Sequence, residues 1–192
     1  MINICIHGHF YQPPRENPWT GEIELQDSAK PYHDWNERIY DECYKANAEA
    51  EIIDDKGKTV SVVNNYEMLN FNFGPTLLAW IKTKHPETYE KIIEADKKSL
   101  ELHGGHGNAI AMCYNHMIMP LANLNDKITQ VKWGVADFRY HFGREPEGIW
   151  LPETACNDET IEVLISEGIR YIILDTSQAG LIRKLGEEKW RD

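Results

Sequence analysis

The chain has 192 residues and a net charge of −11, from 20 Lys and Arg against 31 Asp and Glu. This acidic balance argues against nucleic acid as a partner, since a protein that binds phosphate backbones needs a basic surface, and it argues against an anionic membrane surface. We therefore expect neither partner. No apolar run approaches the roughly 20 residues that span a bilayer. A chain of this length can bury a sizeable core, so we expect a single domain over 1–192.

Short β-branched runs alternate with amphipathic stretches along the first half of the chain. The predicted elements there are a strand over 2–6, a long loop over 15–34, a helix from Asp34 or Asn36 to about Ile53, a turn at 54–58 and a second strand over 59–63. A loop over 64–73, helices over 75–81 and 86–99 and a short third strand over 100–102 follow. A loop as long as 15–34 is uncommon in a compact domain unless it is functional.

The second half continues the same alternation. An irregular stretch with a helical turn covers 109–122, a helix over 125–142 ends at Gly143, a fourth strand covers 148–151, a helix capped by Asn157 covers 159–167 and a fifth strand covers 170–175. Such an order, with right-handed connections, produces a mainly parallel sheet with helices outside. We therefore expect an α/β fold with about five parallel strands. An open doubly wound sheet would be complete with five strands, whereas a barrel of seven or eight would not.

The cysteines indicate a reducing compartment. Cys5, Cys43, Cys113 and Cys156 are far apart in the sequence and form no Cys-x-x-Cys pair. Scattered thiols of this kind are typical of cytosolic proteins, and the first residues lack the basic segment of a signal peptide. We therefore expect a cytoplasmic location.

Polar groups gather at the ends of the predicted strands. They are His7 and His9 after the first strand, His106 and Asn108 after the third, Trp150 and Glu153 after the fourth, and Asp175 after the fifth. The carboxyl ends of parallel strands meet on one face, where α/β enzymes place catalytic groups. We therefore expect these residues to converge, with Glu153 as the catalytic carboxylate beside a tryptophan wall. The alternative is an ordinary glutamate at a helix start, where a negative charge is favourable.

The segment His7-Gly8-His9 has three possible roles. With a nearby aspartate and a further histidine, it would form the zinc site of a metal-dependent deacetylase-like hydrolase. Alternatively, both imidazoles hydrogen-bond sugar hydroxyls, or they are structural histidines satisfied by loop carbonyls. The 6 Trp and 9 Tyr of the chain supply flat faces for stacking on sugar rings. We expect a carbohydrate ligand, no metal and no cofactor.

Several segments, in order, resemble the motifs of glycoside hydrolase family 57. They are HGHFYQP at 7–13, the stretch 104–122 with NHMIMPLA at 115–122, and WLPE at 150–153, while NFGPTLL at 72–78 is similar to a second-strand loop of that family. The resemblance covers nearly the whole chain. Members of the family include α-amylase-like, 4-α-glucanotransferase, branching and α-galactosidase activities.

The resemblance implies an incomplete (β/α)7-type barrel and a retaining reaction on an α-glucan-type substrate. In it, Glu153 matches the nucleophile and Trp150 an aromatic wall. The residues expected to bind substrate are His7, His9, Gln12, His106, Asn108, His116 and Trp150. Some family members have a glutamate about where Asn108 falls, which leaves the preferred substrate open.

The resemblance also implies a second catalytic group that these 192 residues do not supply. The family's acid/base is an aspartate in a later fourth motif, and the context of Asp175 does not match it. Without protonation of the leaving group the rate falls by a factor of about 10²–10⁴. We therefore expect the chain alone to be inactive or nearly so. The last strand of an incomplete barrel exposes unpaired backbone groups. We therefore also expect the chain to self-associate or to bind another chain that completes the barrel. A non-catalytic carbohydrate-binding subunit is the third possibility.

Overall fold

The computed structural model describes residues 4–184 and 186–191. Its strands, in chain order, are β1 (His7–Phe10), β2 (Ala50–Ile53), β3 (Thr59–Val63), β4 (Asn70–Phe73), β5 (Ala111–Met112), β6 (Gly148–Trp150) and β7 (Tyr171–Ile172). Its helices are α1 (Trp35–Ile39), α2 (Lys45–Ala48), α3 (Pro75–Lys84), α4 (Pro86–Leu102), α5 (Leu124–Phe142) and α6 (Asp158–Ser166). A π-helical segment, Tyr40–Tyr44, joins α1 to α2.

Five of these strands form one parallel array in the order β1-β4-β5-β6-β7. β1 pairs with β4, and β5, β6 and β7 pair in sequence, all parallel. A parallel bridge between Phe71 and Ala109 joins β4 to β5. The described residues thus form an α/β fold and part of a parallel barrel, which confirms the predicted class and the predicted number of strands.

The two faces of this array differ in polarity, because side chains alternate along each strand. One face is apolar and buried beneath the helices; its residues are Phe10, Phe71, Phe73, Ile149 and Leu151. The other face carries the residues of the candidate site, namely His7, His9, Asn70, Asn72 and Trp150. Burial of the first face stabilises the barrel segment, and the second face is left free for polar chemistry.

Helix α5 fixes the position of β5 and of the loop that follows it. A Cβ on Gly134 would lie 2.0 Å from the carbonyl oxygen of Met112, so only glycine allows this close approach of helix and strand. One turn earlier, the backbone oxygen of Gln130 accepts from the Tyr114 N–H at 3.1 Å, and its Oε1 accepts from the Asn115 N–H at 2.7 Å. The loop leaving β5 is therefore held by the helix it leads into.

Two of the predicted barrel strands are wrong. The run 59–63 is β3, which pairs antiparallel with β2 in a hairpin and is exposed along its length. The second barrel strand is Asn70–Phe73, within the predicted loop over 64–73. Residues 100–102 form the last turn of α4, and the third barrel strand is β5. β-branched content predicts extended structure correctly, but it does not distinguish a surface hairpin from a barrel strand.

Two boundaries also differ from those predicted. The first strand begins at His7 and not in the run 2–6, part of which lies outside the described residues. The two histidines are therefore within the strand. The helix predicted to reach Ile53 ends at Ala48, because the following Ile-rich segment pairs as β2. Helix α5 ends at Gly143 with φ 67°, as predicted. No helix in the described part of the chain has the length and apolar character needed to cross a membrane.

Candidate active site

Strands β1 and β4 present a layer of histidine and asparagine side chains. The register aligns His7 with Asn70 and His9 with Asn72. Asn72 is fully buried and is hydrogen-bonded to Nε2 of His7 and to Nδ1 of His9, both at 3.1 Å. Asn70 is hydrogen-bonded to Nδ1 of His7, and its Nδ2 donates to the carbonyl oxygen of Asn108 at 2.6 Å. The two asparagines therefore fix the orientation of both imidazoles.

The environment favours the neutral form of these imidazoles. Burial lowers the pKa of His7, and the hydrogen bonds to the two asparagines oppose this shift. Burial also lowers the pKa of His9; the nearby His116 and His7 add to the effect, while the hydrogen bond to Asn72 and the charge of Glu153 oppose it. Desolvation disfavours a charged ring, so burial favours the uncharged form of both histidines. The amide oxygens of Asn70 and Asn72, one at each ring nitrogen of His7, favour its protonated form.

The indole of Trp150, at the end of β6, covers both imidazoles. It stacks on His9 at 4.6 Å between ring centroids and on His7 at 5.2 Å, with interplanar angles of 20° and 13°. Its Nε1 is buried and has no hydrogen-bond partner within the described ranges. Leaving a buried donor unpaired costs about 1–3 kcal/mol. Trp150 thus belongs to the same cluster as the two histidines.

His116 and Tyr11 extend this cluster towards Glu153. The ring of His116 lies 4.4 Å from that of Tyr11 and 5.9 Å from that of His9. Nε2 of His116 is 3.8 Å from Oε1 of Glu153, whose side chain is 70% exposed. The carboxylate is therefore exposed next to an aromatic wall. This wall is formed by Tyr11 after β1, His116 after β5 and Trp150 at the end of β6.

The backbone at Glu153 is in an unusual conformation. Glu153 and Thr154 have φ values of 56° and 54°, in the left-handed region that costs roughly 1–2 kcal/mol for a residue with a Cβ. For a β-branched threonine it is a genuine outlier. The two residues form a short turn with Pro152, and α6 begins only at Asp158. Glu153 is therefore not an ordinary helix-start glutamate, and backbone strain of this kind is characteristic of functional sites.

Gln12 supports the loop that leaves β1. Its Oε1 accepts from Arg15 at 2.8 Å, and its Nε2 donates to the Tyr44 hydroxyl at 3.2 Å. Burial raises the pKa of Tyr44 to about 12, so the phenol remains neutral. Both ends of the Gln12 amide are thus engaged within the protein, at the start of the long loop over 15–34.

His106 and Asn108 do not join the cluster, which corrects the expected convergence. Because 100–102 is helical, residues 103–108 connect α4 to the amino end of β5, at the opposite edge of the sheet from Glu153. His106 is hydrogen-bonded at 2.8 Å to Glu147, which precedes β6. Asn108 is buried and donates to the carbonyl oxygens of Tyr66 and Glu67. Both side chains have structural partners there.

Gly107, next to His106, likewise has a structural role. A Cβ on Gly107 would lie 2.3 Å from Nη2 of Arg144 and 2.5 Å from Oδ1 of Asp96. Those two side chains form a nearly buried ion pair, with two N–O distances of 2.8 Å. Glycine at position 107 therefore allows this ion pair to lie against the backbone.

Among the residues that the structure describes, the histidine pair has no carboxylate partner of the kind a zinc site needs. In the described residues, no three His, Cys, Asp or Glu side chains are grouped so as to hold a metal ion. The polar groups that contact the imidazoles of His7 and His9 are the amides of Asn70 and Asn72, and an amide is a poor ligand for zinc compared with imidazole, thiolate or carboxylate.

A cleft of about 520 Å³ is separate from this cluster. It lies between the long loop and helices α3 and α5, and its lining includes Glu16, Glu22, His33, Asp34, Glu37, Trp80 and Asp137. Two of its carboxylates already have structural roles. Asp34 caps α1 through the N–H groups of residues 36 and 37, and Glu37 pairs with His85 at 3.1 Å.

Sequence reasoning missed Tyr11, Asn70 and Asn72. The alternation in Asn70-Phe71-Asn72-Phe73, just before Gly74-Pro75, is the signal that could have revealed β4. Asparagine is depleted in strands, so the segment looks like a loop. Its asparagines occur in the strand because they hydrogen-bond the histidines of β1.

A parallel α/β barrel segment with a carboxylate, imidazoles and an indole at the carboxyl ends of its strands has the arrangement of a barrel enzyme. The sequence matches Glycosyl hydrolase family 57 over residues 5–189, and the chain belongs to this family. It is 29% identical over 108 residues to Alpha-amylase 1 of Dictyoglomus thermophilum, a match that covers 56% of this chain and 15% of that protein.

Solved structures of two enzymes share the fold. The 4-alpha-glucanotransferase of Thermococcus litoralis aligns with a TM-score of 0.58 at 18% identity, over 91% of this chain and 23% of that one. An exo-type maltose-forming amylase of Pyrococcus sp. ST04 aligns with a TM-score of 0.57 at 15% identity, over 88% of this chain and 29% of that one. The chain thus spans less than a third of the length of each of these proteins.

Proposed function

We propose that this chain carries the nucleophile of a retaining glycoside hydrolase or glucanotransferase that acts on α-glucans. The observation that carries the proposal is the exposed Glu153 carboxylate on a left-handed turn at the end of β6, beside the aromatic wall of Trp150 and His116. Family membership and the similarity to an α-amylase support the substrate class.

In the proposed reaction, a carboxylate oxygen of Glu153 attacks the anomeric carbon. The bond to the leaving oxygen breaks, a covalent glycosyl ester forms, and water or a sugar hydroxyl then displaces the carboxylate. Trp150 would stack on a sugar ring. The imidazoles of His7 and His9 would exchange hydrogen bonds with its hydroxyls.

A retaining reaction needs a second carboxylate roughly 5–5.5 Å from the first. Asp175 follows β7 on the correct edge of the sheet, but its Oδ1 accepts from the N–H and the hydroxyl of Ser177. We propose that the acid/base aspartate lies outside residues 1–192. These residues alone would then protonate a sugar leaving group poorly, which corresponds to a loss of about 10²–10⁴ in rate.

An activated donor tests the nucleophile without the acid, because fluoride leaves without protonation. Incubation with α-maltotriosyl fluoride should release fluoride in a burst of one equivalent per chain, and Glu153→Gln should abolish the burst. Glu147→Gln is the matched control, since Glu147 also lies beside a histidine, but at the opposite edge of the sheet. A burst unchanged in Glu153→Gln would overturn the proposal. Binding of maltotriose without any burst would instead indicate a carbohydrate-binding subunit.

We also propose that the chain associates with itself or with a chain that completes the barrel. Within the described residues, the outer strands of the array, β1 and β7, each have one paired neighbour, and unpaired edges favour association. The hairpin β2–β3 exposes Ile53, Val60 and Val62 by 59%, 60% and 59%. Sedimentation velocity across a wide concentration range should show species larger than the monomer. A single monomeric species throughout would contradict the proposal.

A cytoplasmic location is the remaining proposal, supported by the cysteines. All four are free, with Cys5 exposed and Cys113 buried. Burial raises the pKa of Cys113 to about 12, so that thiol is inert. Thiol titration of the unfolded protein, purified from its native source, should give four thiols per chain, and fewer thiols would favour an oxidising compartment.

A further inference from the structure

The turn that follows β7 is bonded to the turn that carries Glu153. Nε2 of Gln178 donates to the carbonyl oxygen of Thr154 at 2.8 Å, and the Thr154 hydroxyl donates to Oε1 of Gln178 at 3.0 Å. The same Oε1 accepts from the backbone N–H of Asp175 at 2.8 Å. Because that N–H can only donate, it fixes which end of the amide is oxygen. A primary amide is therefore matched at both ends to one residue of the neighbouring turn.

The contact is made at a backbone position that would otherwise relax. Thr154 has φ 54° and Glu153 has φ 56°, and a β-branched residue is disfavoured there. Rotation of Thr154 out of the left-handed region would turn the peptide that joins it to Glu153. The carboxylate would then move away from Nε2 of His116, which lies 3.8 Å away. Gln178 opposes this rotation by binding both the backbone and the side chain of Thr154.

Gln178 is itself held by its own turn. Asp175 caps that turn, with Oδ1 accepting from the N–H of Ser177 at 2.8 Å and the N–H of Asp175 bound by the Gln178 amide. The turn spans Thr176–Gln178 and follows the fifth strand of the barrel, β7, after residues 173–175. The position of one strand end is thereby transmitted to the catalytic turn of its neighbour.

We propose that Gln178 is a positioning residue for Glu153, which acts by holding Thr154 in the left-handed conformation that aims the carboxylate. This inference rests on the proposed function only for the role of Glu153 as nucleophile. Gln178 acts through Thr154 and has no required contact with the sugar.

The rate of the fluoride burst with α-maltotriosyl fluoride measures the effect. Gln178→Ala should lower this rate about 10- to 100-fold, since a misplacement near 1 Å can cost about 10²-fold. Ser177→Ala is the matched control, because its hydroxyl bonds only within the same turn, to Asp175; it should react at the wild-type rate. Gln178→Glu keeps the acceptor but loses the donor to the Thr154 carbonyl, so its rate should be intermediate.

A double substitution distinguishes positioning from general support. Glycine adopts the left-handed conformation without steric cost, so a glycine at position 154 does not need the hydrogen bonds from Gln178 to keep it. In the Thr154→Gly background, Gln178→Ala should therefore slow the burst far less than it does in the wild-type chain. An equal loss in both backgrounds would show that Gln178 does not act through the conformation of Thr154, and would overturn the inference.

Hydrogen exchange provides a readout that does not depend on glycosyl transfer. The N–H groups of Thr154 and Ala155 bond to the carbonyls of Leu151 and Pro152 at 2.9 and 3.1 Å. Both should exchange faster in Gln178→Ala than in the wild type and in Ser177→Ala. If the burst survives Glu153→Gln, the proposed nucleophile is wrong. Hydrogen exchange then still decides whether Gln178 holds the conformation of Thr154. Unchanged exchange rates in Gln178→Ala would contradict the claim that Gln178 holds Thr154 in the left-handed conformation.

Discussion

Asn72 links the two histidines of the site, and its replacement by alanine should have a measurable and asymmetric effect. The substitution removes hydrogen bonds to His7 and His9, each 3.1 Å long, and leaves a small cavity at a fully buried position. Each imidazole is only partly buried, so each lost bond should cost about 1 kcal/mol. A cavity the size of an amide adds about 1 kcal/mol. We expect Asn72→Ala to lower the free energy of unfolding by about 2–3 kcal/mol.

The same substitution should change the titration of the histidines. The hydrogen bond to Asn72 raises the pKa of both His7 and His9, so its loss should lower both values further. Asn70→Ala is the matched control. Of the two histidines, Asn70 is hydrogen-bonded to His7 and not to His9, so this substitution should leave the pKa of His9 unchanged. Urea unfolding and NMR titration of the imidazole protons measure the two effects. A stability loss below about 0.5 kcal/mol, or a His9 pKa that responds equally to both variants, would refute this reasoning.

Three further predictions follow from the contacts. Arg144→Ala leaves the buried carboxylate of Asp96 without its partner and should destabilise the fold by about 3–5 kcal/mol in urea unfolding. The pKa values of His7 and His9 are lowered in the folded chain. Below about pH 6.5 these histidines therefore bind more protons in the unfolded chain than in the folded one. Stability should therefore fall as the pH decreases from about 6.5 towards the folded values, and His9→Gln should make this fall shallower. Trp150→Ala should weaken maltotriose binding roughly five- to tenfold in calorimetry, because a stacking face is lost.

The first and third of these predictions have a control variant within the chain. Arg38 pairs with Glu42 at the surface, so Arg38→Ala should cost less than about 1 kcal/mol; an equal loss in Arg144→Ala would contradict the role of the buried pair. Trp133 is 53% exposed, and Trp133→Ala should leave maltotriose binding unchanged. An identical pH profile in His9→Gln and the wild type would contradict the titration argument.

The fold class could be predicted from the sequence because strand and helix patterns alternate along the chain. The helix over 125–142 shows what is predictable: its apolar spacing and the stop at Gly143 are local signals, and the structure confirms both. The position of β3 was not predictable, since β-branched residues form strands in barrels and in surface hairpins alike. Which of these forms is decided by partners distant in the sequence.

The candidate site could be expected where its signal lies in one segment, as in Trp150-Leu151-Pro152-Glu153, whose catalytic role stays a proposal. It was not predictable where the partner comes from another element. In the sequence Asn72 has the character of a loop residue, and only its pairing with β1 reveals its role. The role of Gln178 follows only from its contact with Thr154. The same holds for Gly107, because the Arg144 side chain that approaches it comes from a distant part of the chain.

The central claim is that Glu153 is the nucleophile, and the direct measurement is the location of the covalent adduct. After incubation with α-maltotriosyl fluoride, the intact mass should increase by one maltotriosyl unit. Peptide fragmentation should place that unit on Glu153. An adduct on any other residue, or fluoride release with no adduct on this peptide at any time, would contradict the account.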